Sequence, residues 1–101
     1  MINYPNKFYE QLAYNESRHN PRVLNKFGYA GLFQMGEAAL QDVGYYKGDG
    51  TRKNDWRGAW TGKDGINSLE DFLNNPYTQL KAVQSYHICF ESIFQKVRAK
   101  L

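Results

Sequence analysis

A single cysteine, Cys89, stands in a chain of 101 residues. It cannot close an internal disulfide, which excludes a disulfide-stapled mini-protein. Histidine is nearly as scarce. His19 and His87 lie far apart, and with one cysteine they cannot assemble a structural zinc site. No apolar run approaches the roughly 20 residues that a bilayer-spanning helix needs, so no membrane span is expected. The first residues, Met1-Ile2-Asn3-Tyr4-Pro5-Asn6-Lys7, contain no apolar stretch of the signal-peptide kind. Internal repeats and low-complexity stretches are missing too. Charge of one sign is not in marked excess: 13 Lys and Arg oppose 10 Asp and Glu, a formal net of +3. That favours an anionic polymer, such as cell wall or nucleic acid, without choosing between them.

What is present suffices for one small core. Phe, Leu, Ile and Val number 22, and 16% of the chain is aromatic. Residues 1–101 therefore read as one folded domain. The spacing predicts a helix from Pro5 to Glu16, with Phe8, Tyr9, Leu12, Ala13 and Glu16 on its inner face. Asn20-Pro21, Gly28 and Gly31 make residues 17–30 irregular. A second helix is expected from Leu32 to Val43, with Leu32, Met35, Ala39, Leu40 and Val43 facing inward and Gly44 ending it. Gly36, inside that helix, costs about 1 kcal/mol against Ala, which points to close packing or a ligand at that position.

Residues 44–66 read as a long loop. It carries six glycines, four large aromatics (Tyr45, Tyr46, Trp56, Trp60) and an interleaved set of Lys and Arg. Its Asp residues do not follow the calcium-loop pattern. Ser68 is placed to cap a short helix ending near Asn74-Asn75, with Asp71 in the third position. Pro76 opens a long helix to Lys100, with a core stripe of Tyr77, Leu80, Ala82, Val83, Tyr86, Phe90, Ile93, Phe94 and Val97. The expected fold class is all-α: three or four helices around a glycine-rich aromatic loop.

Glu16 is the first candidate for chemistry. It prolongs an apolar stripe and sits at a helix C-terminus, and both positions favour the protonated carboxyl that a general acid needs. A plain solvent-facing helix-end glutamate is the alternative. The residues that follow bear on the choice. Glu16, Ser17, Asn20, Pro21, Gly28, Gly31, Leu32 and Gln34 are spaced without a gap as in Glu-Ser, then Asn-Pro, then Gly-Ala-x-Gly-Leu-Met-Gln. That signature is similar to the one in the soluble lytic transglycosylases, which share a fold with goose-type lysozyme. The resemblance covers residues 8–40 well and the rest loosely.

The resemblance implies a lysozyme-like domain that cuts the β-1,4 bond between N-acetylmuramic acid and N-acetylglucosamine in peptidoglycan. It implies Glu16 as catalytic acid/base. Gln34 would bind sugar beside it, Ser17 would belong to the same site, and Asn25 would stand where the family often has a Ser bonded to the catalytic carboxylate. No cofactor and no metal is implied. The Met-Pro that usually follows the Gln is replaced by Met35-Gly36-Glu37, and the later Tyr-Asn-Ala-Gly motif does not occur. Family domains are longer, so part of the cleft is expected from a larger polypeptide, unless the domain is minimal. Glu37 is the candidate second carboxylate for a hydrolase, or simply an anion well placed at a helix start. Tyr45, Tyr46, Trp56 and Trp60 either stack on sugar rings or plug the core. The work site would be the wall, in the periplasm or outside the cell. Without a signal peptide, delivery would use another route, such as a toxin or phage-spike component, with an immunity or delivery protein as partner. Two rivals stand beside this reading: a glycan-binding module without catalysis, and a small nucleic-acid binder using Lys47, Arg52, Lys53 and Arg57.

Overall fold

Helix α1 spans Lys7–Ser17 rather than beginning at Pro5. Asn6 has extended backbone and its side chain accepts the Tyr9 N–H at 3.1 Å, so the cap excludes Pro5 from the helix. The helix ends where Arg18 and His19 adopt positive φ (55° and 63°) and return their N–H groups to Tyr14 and Ala13. The computed structural model describes residues 2–99, and of residues 90–99 the helical backbone alone. Phe90, Ile93, Phe94, Val97 and Lys100, assigned above to the last helix, therefore lie outside the described side chains or residues.

The expectation of an all-α fold is overturned. Besides α1, the chain forms α2 (Glu37–Asp42), α3 (Leu69–Leu73) and α4 (Pro76–Ala99), but also β1 (Tyr46–Lys47) and β2 (Ala59–Trp60). The two strands pair antiparallel, Tyr46 opposite Trp60 and Lys47 opposite Ala59. The class is mixed, helices with a short two-stranded sheet. The reason lies in the aromatics: Tyr46 and Trp60 sit with ring centroids 5.1 Å apart across the ladder, a cross-strand pair that suits strand pairing.

The second helix is half the expected length. Residues 30–35 form a tight turn instead, closed by isolated bridges of Ala30 with both Leu24 and Met35. Gln34 takes φ 51°, which no helix tolerates. Gly36 becomes the residue before the helix rather than an interior one. A Cβ there would come within 2.8 Å of Asn54 Oδ1 and 2.9 Å of the Tyr29 ring, so close packing is what requires glycine.

Leu32, Leu40, Tyr45, Ile66, Phe72 and Ala82 form the centre of the core. α4 buries Leu80, Ala82 and Val83 as expected, whereas Tyr77 is exposed. Ser68 caps α3 by accepting the Asp71 N–H at 3.0 Å, as its position predicts. Buried Gln79 ties the parts together. Its Oε1 accepts the Leu32 N–H at 2.7 Å, and its Nε2 donates to Pro21 O at 3.0 Å and Phe72 O at 2.7 Å. A Cβ on Gly31 would strike this side chain at 2.5 Å. Among the described residues, no helix is long and apolar enough to cross a membrane.

Candidate functional site

The buried face of α1 is centred on Ala13 and Ser17, with Tyr9 and Leu12 beside them. At 100° per residue Glu16 falls between Tyr9 and Leu12 on the helix circumference, yet at the end of the helix it is exposed, as is Phe8. The expectation that Glu16 continues the buried face is therefore corrected. The last buried position of the helix is Ser17 instead, whose hydroxyl donates to Ala13 O at 3.0 Å. Among the described residues the Glu16 carboxylate takes part in no ion pair.

The other residues of the signature hold their own loops. Asn25 Oδ1 accepts the N–H groups of Phe27 (2.9 Å) and Tyr29 (3.0 Å), shaping a turn rather than approaching Glu16. Gln34 donates from Nε2 to Gly31 O at 2.9 Å and Val23 O at 3.3 Å. Ser17 is buried. These contacts knit the 20–36 segment, and none of them joins Gln34, Asn25 or Ser17 to Glu16.

The aromatic set divides. Tyr45 is a core residue whose hydroxyl donates to Asp64, which Lys81 pairs at 3.2 Å. Burial, then the Asp64 bond and charge, push this phenol far above its ordinary range. Tyr46 is buried as well, with its hydroxyl accepting the Gly58 N–H at 2.6 Å. Burial raises its phenol most, the Gly58 bond opposes that, and the Glu37 and Asp49 charges add to the rise. Trp56 and Trp60 are half-buried and stacked, with centroids 5.6 Å apart and planes 11° from parallel. Core filling therefore accounts for Tyr45 and Tyr46, and only the two indoles keep an open edge.

Sequence reasoning missed a more open aromatic surface. The turn held by Asn25 presents Phe27, 66% exposed, and Tyr29 outward. With Lys26, Arg52, Lys53, Asn54 and Asp55 they line a groove of about 680 Å³. Lys26 Nζ lies 5.1 Å from the Phe27 ring centroid. Exposed aromatics between cations are the signal that could have revealed it. A second groove, about 800 Å³, is lined by Tyr4, Lys7, Glu10, His19, Leu32 and Tyr77 among others. His19 Nδ1 lies 2.9 Å from the Tyr4 hydroxyl there.

Glu37 opens α2 but does not face solvent. It is 3% exposed, and its Oε2 accepts the Trp56 N–H at 2.7 Å. Its own N–H donates to Asn54 Oδ1 at 2.9 Å. One carboxylate oxygen each from Glu37, Asp49 and Asp55 lie within 4.8 Å of one another.

Comparison with family models, curated proteins and solved structures yields no match. The chemistry open to the chain thus rests on its own residues. They offer an exposed carboxylate at the end of α1, an aromatic and basic groove on the 25–29 turn, and an enclosed carboxylate bonded to backbone at Trp56.

Proposed function

We propose that this chain is a peptidoglycan-cleaving glycosidase of the lytic transglycosylase or muramidase kind, with Glu16 as general acid/base. The observation that carries the reading is the gapless Glu16–Gln34 register, which the chain folds as a helix end, two left-handed residues and a bridged turn. Gln34 is held at φ 51°, and backbone strain of this kind clusters at functional sites. Cleavage needs a proton delivered to a poor leaving-group oxygen. Glu16 is exposed at the end of α1 and accessible for that transfer. Phe27 and Tyr29 offer faces to sugar rings, and Lys26, Arg52 and Lys53 suit the carboxylates of the wall's peptides and lactyl groups.

The enclosure of Glu37 favours one product. A second carboxylate must reach water to activate it, whereas Glu37 is buried and bonded to Trp56. The muramic acid C6 hydroxyl, already held beside C1, is then the competent nucleophile. The reaction becomes anhydro-forming transglycosylation. A glycan-binding module without catalysis is the second reading, favoured by the way Gln34, Asn25 and Ser17 all bond to their own backbone. Mass spectrometry of digested peptidoglycan separates them. The reading predicts cut strands with 1,6-anhydromuramic ends; intact strands that pellet the protein favour the binding module.

A further inference from the structure

The loop between α2 and β2 brings three carboxylates onto one point, and one of them is enclosed. Burying a carboxylate is expensive unless hydrogen bonds or an opposite charge offset the loss of water. Glu37 accepts the Trp56 N–H at Oε2, the Tyr46 hydroxyl lies beside the same carboxylate, and its buried Oε1 meets no well-aligned donor among the described groups. Among the described residues, no cationic side chain lies within ion-pair distance of it. The two ion pairs of the described residues, Arg22–Glu70 and Lys81–Asp64, lie elsewhere. Lys47, Arg52, Lys53 and Arg57 flank the cluster in sequence, yet none approaches it within ion-pair distance. Asp49 and Asp55 then add two more negative charges beside the buried one. Left uncompensated, the arrangement repels itself.

We propose that Glu37, Asp49 and Asp55 bind a divalent cation of the calcium type. Three carboxylates from a helix start and two loop positions form an irregular, all-oxygen set. Calcium tolerates such geometry and completes its shell with water, whereas magnesium demands a near-regular octahedron and transition metals prefer nitrogen or sulfur. The two aspartates are held in place. Asp49 accepts from the Thr51 hydroxyl at 2.8 Å and the Thr51 N–H at 3.1 Å, and Asp55 accepts the Arg57 N–H at 3.2 Å. No contiguous motif announces the site, because the ligands meet only when the loop folds over Glu37. The bound ion would clamp that loop to α2. The proposal does not rest on the glycosidase reading, though Asp55 also lines the groove beside Phe27 and Tyr29.

The test is terbium luminescence, sensitised by exciting the tryptophans, with calcium as competitor. Saturable emission displaced by calcium at about 10⁻⁴ to 10⁻³ M, the range of extracellular modules, is expected, together with a calcium-dependent rise in Tm. Asp49→Asn and Asp55→Asn alter exposed residues and leave the fold in place. Each should weaken terbium binding at least tenfold and remove the calcium-dependent rise in Tm. Emission that never saturates, or that is unchanged in the double Asp49→Asn, Asp55→Asn variant, overturns the proposal. So does a Tm indifferent to calcium.

Discussion

The backbone N–H of Trp56 donates to Glu37 Oε2 at 2.7 Å, across 19 residues of chain. Trp56 itself takes φ 59°, a left-handed conformation unusual for a bulky residue. Its indole N–H reaches Gly28 O at 2.8 Å. One residue thus joins the start of α2 to the 25–29 turn, and the strain at Trp56 is offset by the bonds it makes.

Glu37→Ala should therefore destabilise the protein by about 2–4 kcal/mol, since it leaves the Trp56 N–H unpaired and opens a cavity. Urea denaturation measures this. A loss under 0.5 kcal/mol would mean that the clamp contributes nothing to stability.

Gln79→Ala should be at least as damaging. The side chain is 1% exposed and satisfies one N–H and two carbonyls from three separate segments. A loss of about 2–4 kcal/mol is expected. Gln79→Glu should not rescue it, because a carboxylate cannot donate to Pro21 and Phe72. Thermal denaturation of both variants checks this.

Stability should fall on mild acidification. Burial lowers the His87 pKa from its ordinary 6.5, while the Tyr9 hydroxyl lies 3.0 Å from His87 Nδ1. The folded state thus binds a proton less readily than the unfolded chain. The contribution is complete above pH 6.5 and is lost as pH falls from there through the folded value. Asp64 and Glu70 are also lowered, Asp64 first by its Tyr45 bond and Glu70 first by its Arg22 bond, so their contributions disappear in more acidic solution, below the ordinary carboxylate range. A Tm series between pH 5 and 8 should show a slope in the wild type that flattens in His87→Gln.

Glu16→Gln should leave stability within about 0.5 kcal/mol, as befits an exposed residue. It should lower clearing of a cell-wall suspension by about 10²- to 10⁴-fold, the usual worth of a general acid. Clearing at the wild-type rate would remove Glu16 from the mechanism.

Phe27→Ala should reduce the fraction of protein that pellets with cell walls, with no change in Tm, because the ring is exposed and supports no core. Equal pelleting would place glycan recognition elsewhere, with the open edges of Trp56 and Trp60 the next surface to test.

Local signals were legible without coordinates. The Ser68 cap, the Pro76 start of α4, the inward Leu40 and Val43, and the break after Asn74 all depend on neighbours a few residues away. What short-range pattern could not determine was everything set by distant partners. Glu16 shares the face of Tyr9 and Leu12 but no other segment covers it there, whereas Ser17 returns its hydroxyl to Ala13 and is buried. The apolar run from Leu32 to Met35 became a turn rather than a helix because Ala30 bridges to both Leu24 and Met35, and Gln79, 47 residues away from Leu32, takes its N–H. The loop aromatics became a sheet because Tyr46 meets Trp60. Glu37 reads from sequence as a candidate second carboxylate or a helix-start anion, and only the folded loop encloses it, with its Oε2 accepting the Trp56 N–H. Periodicity determines which side chains share a face. Burial depends on which other segment covers that face, and this is decided by long-range hydrogen bonds that leave no period in the sequence.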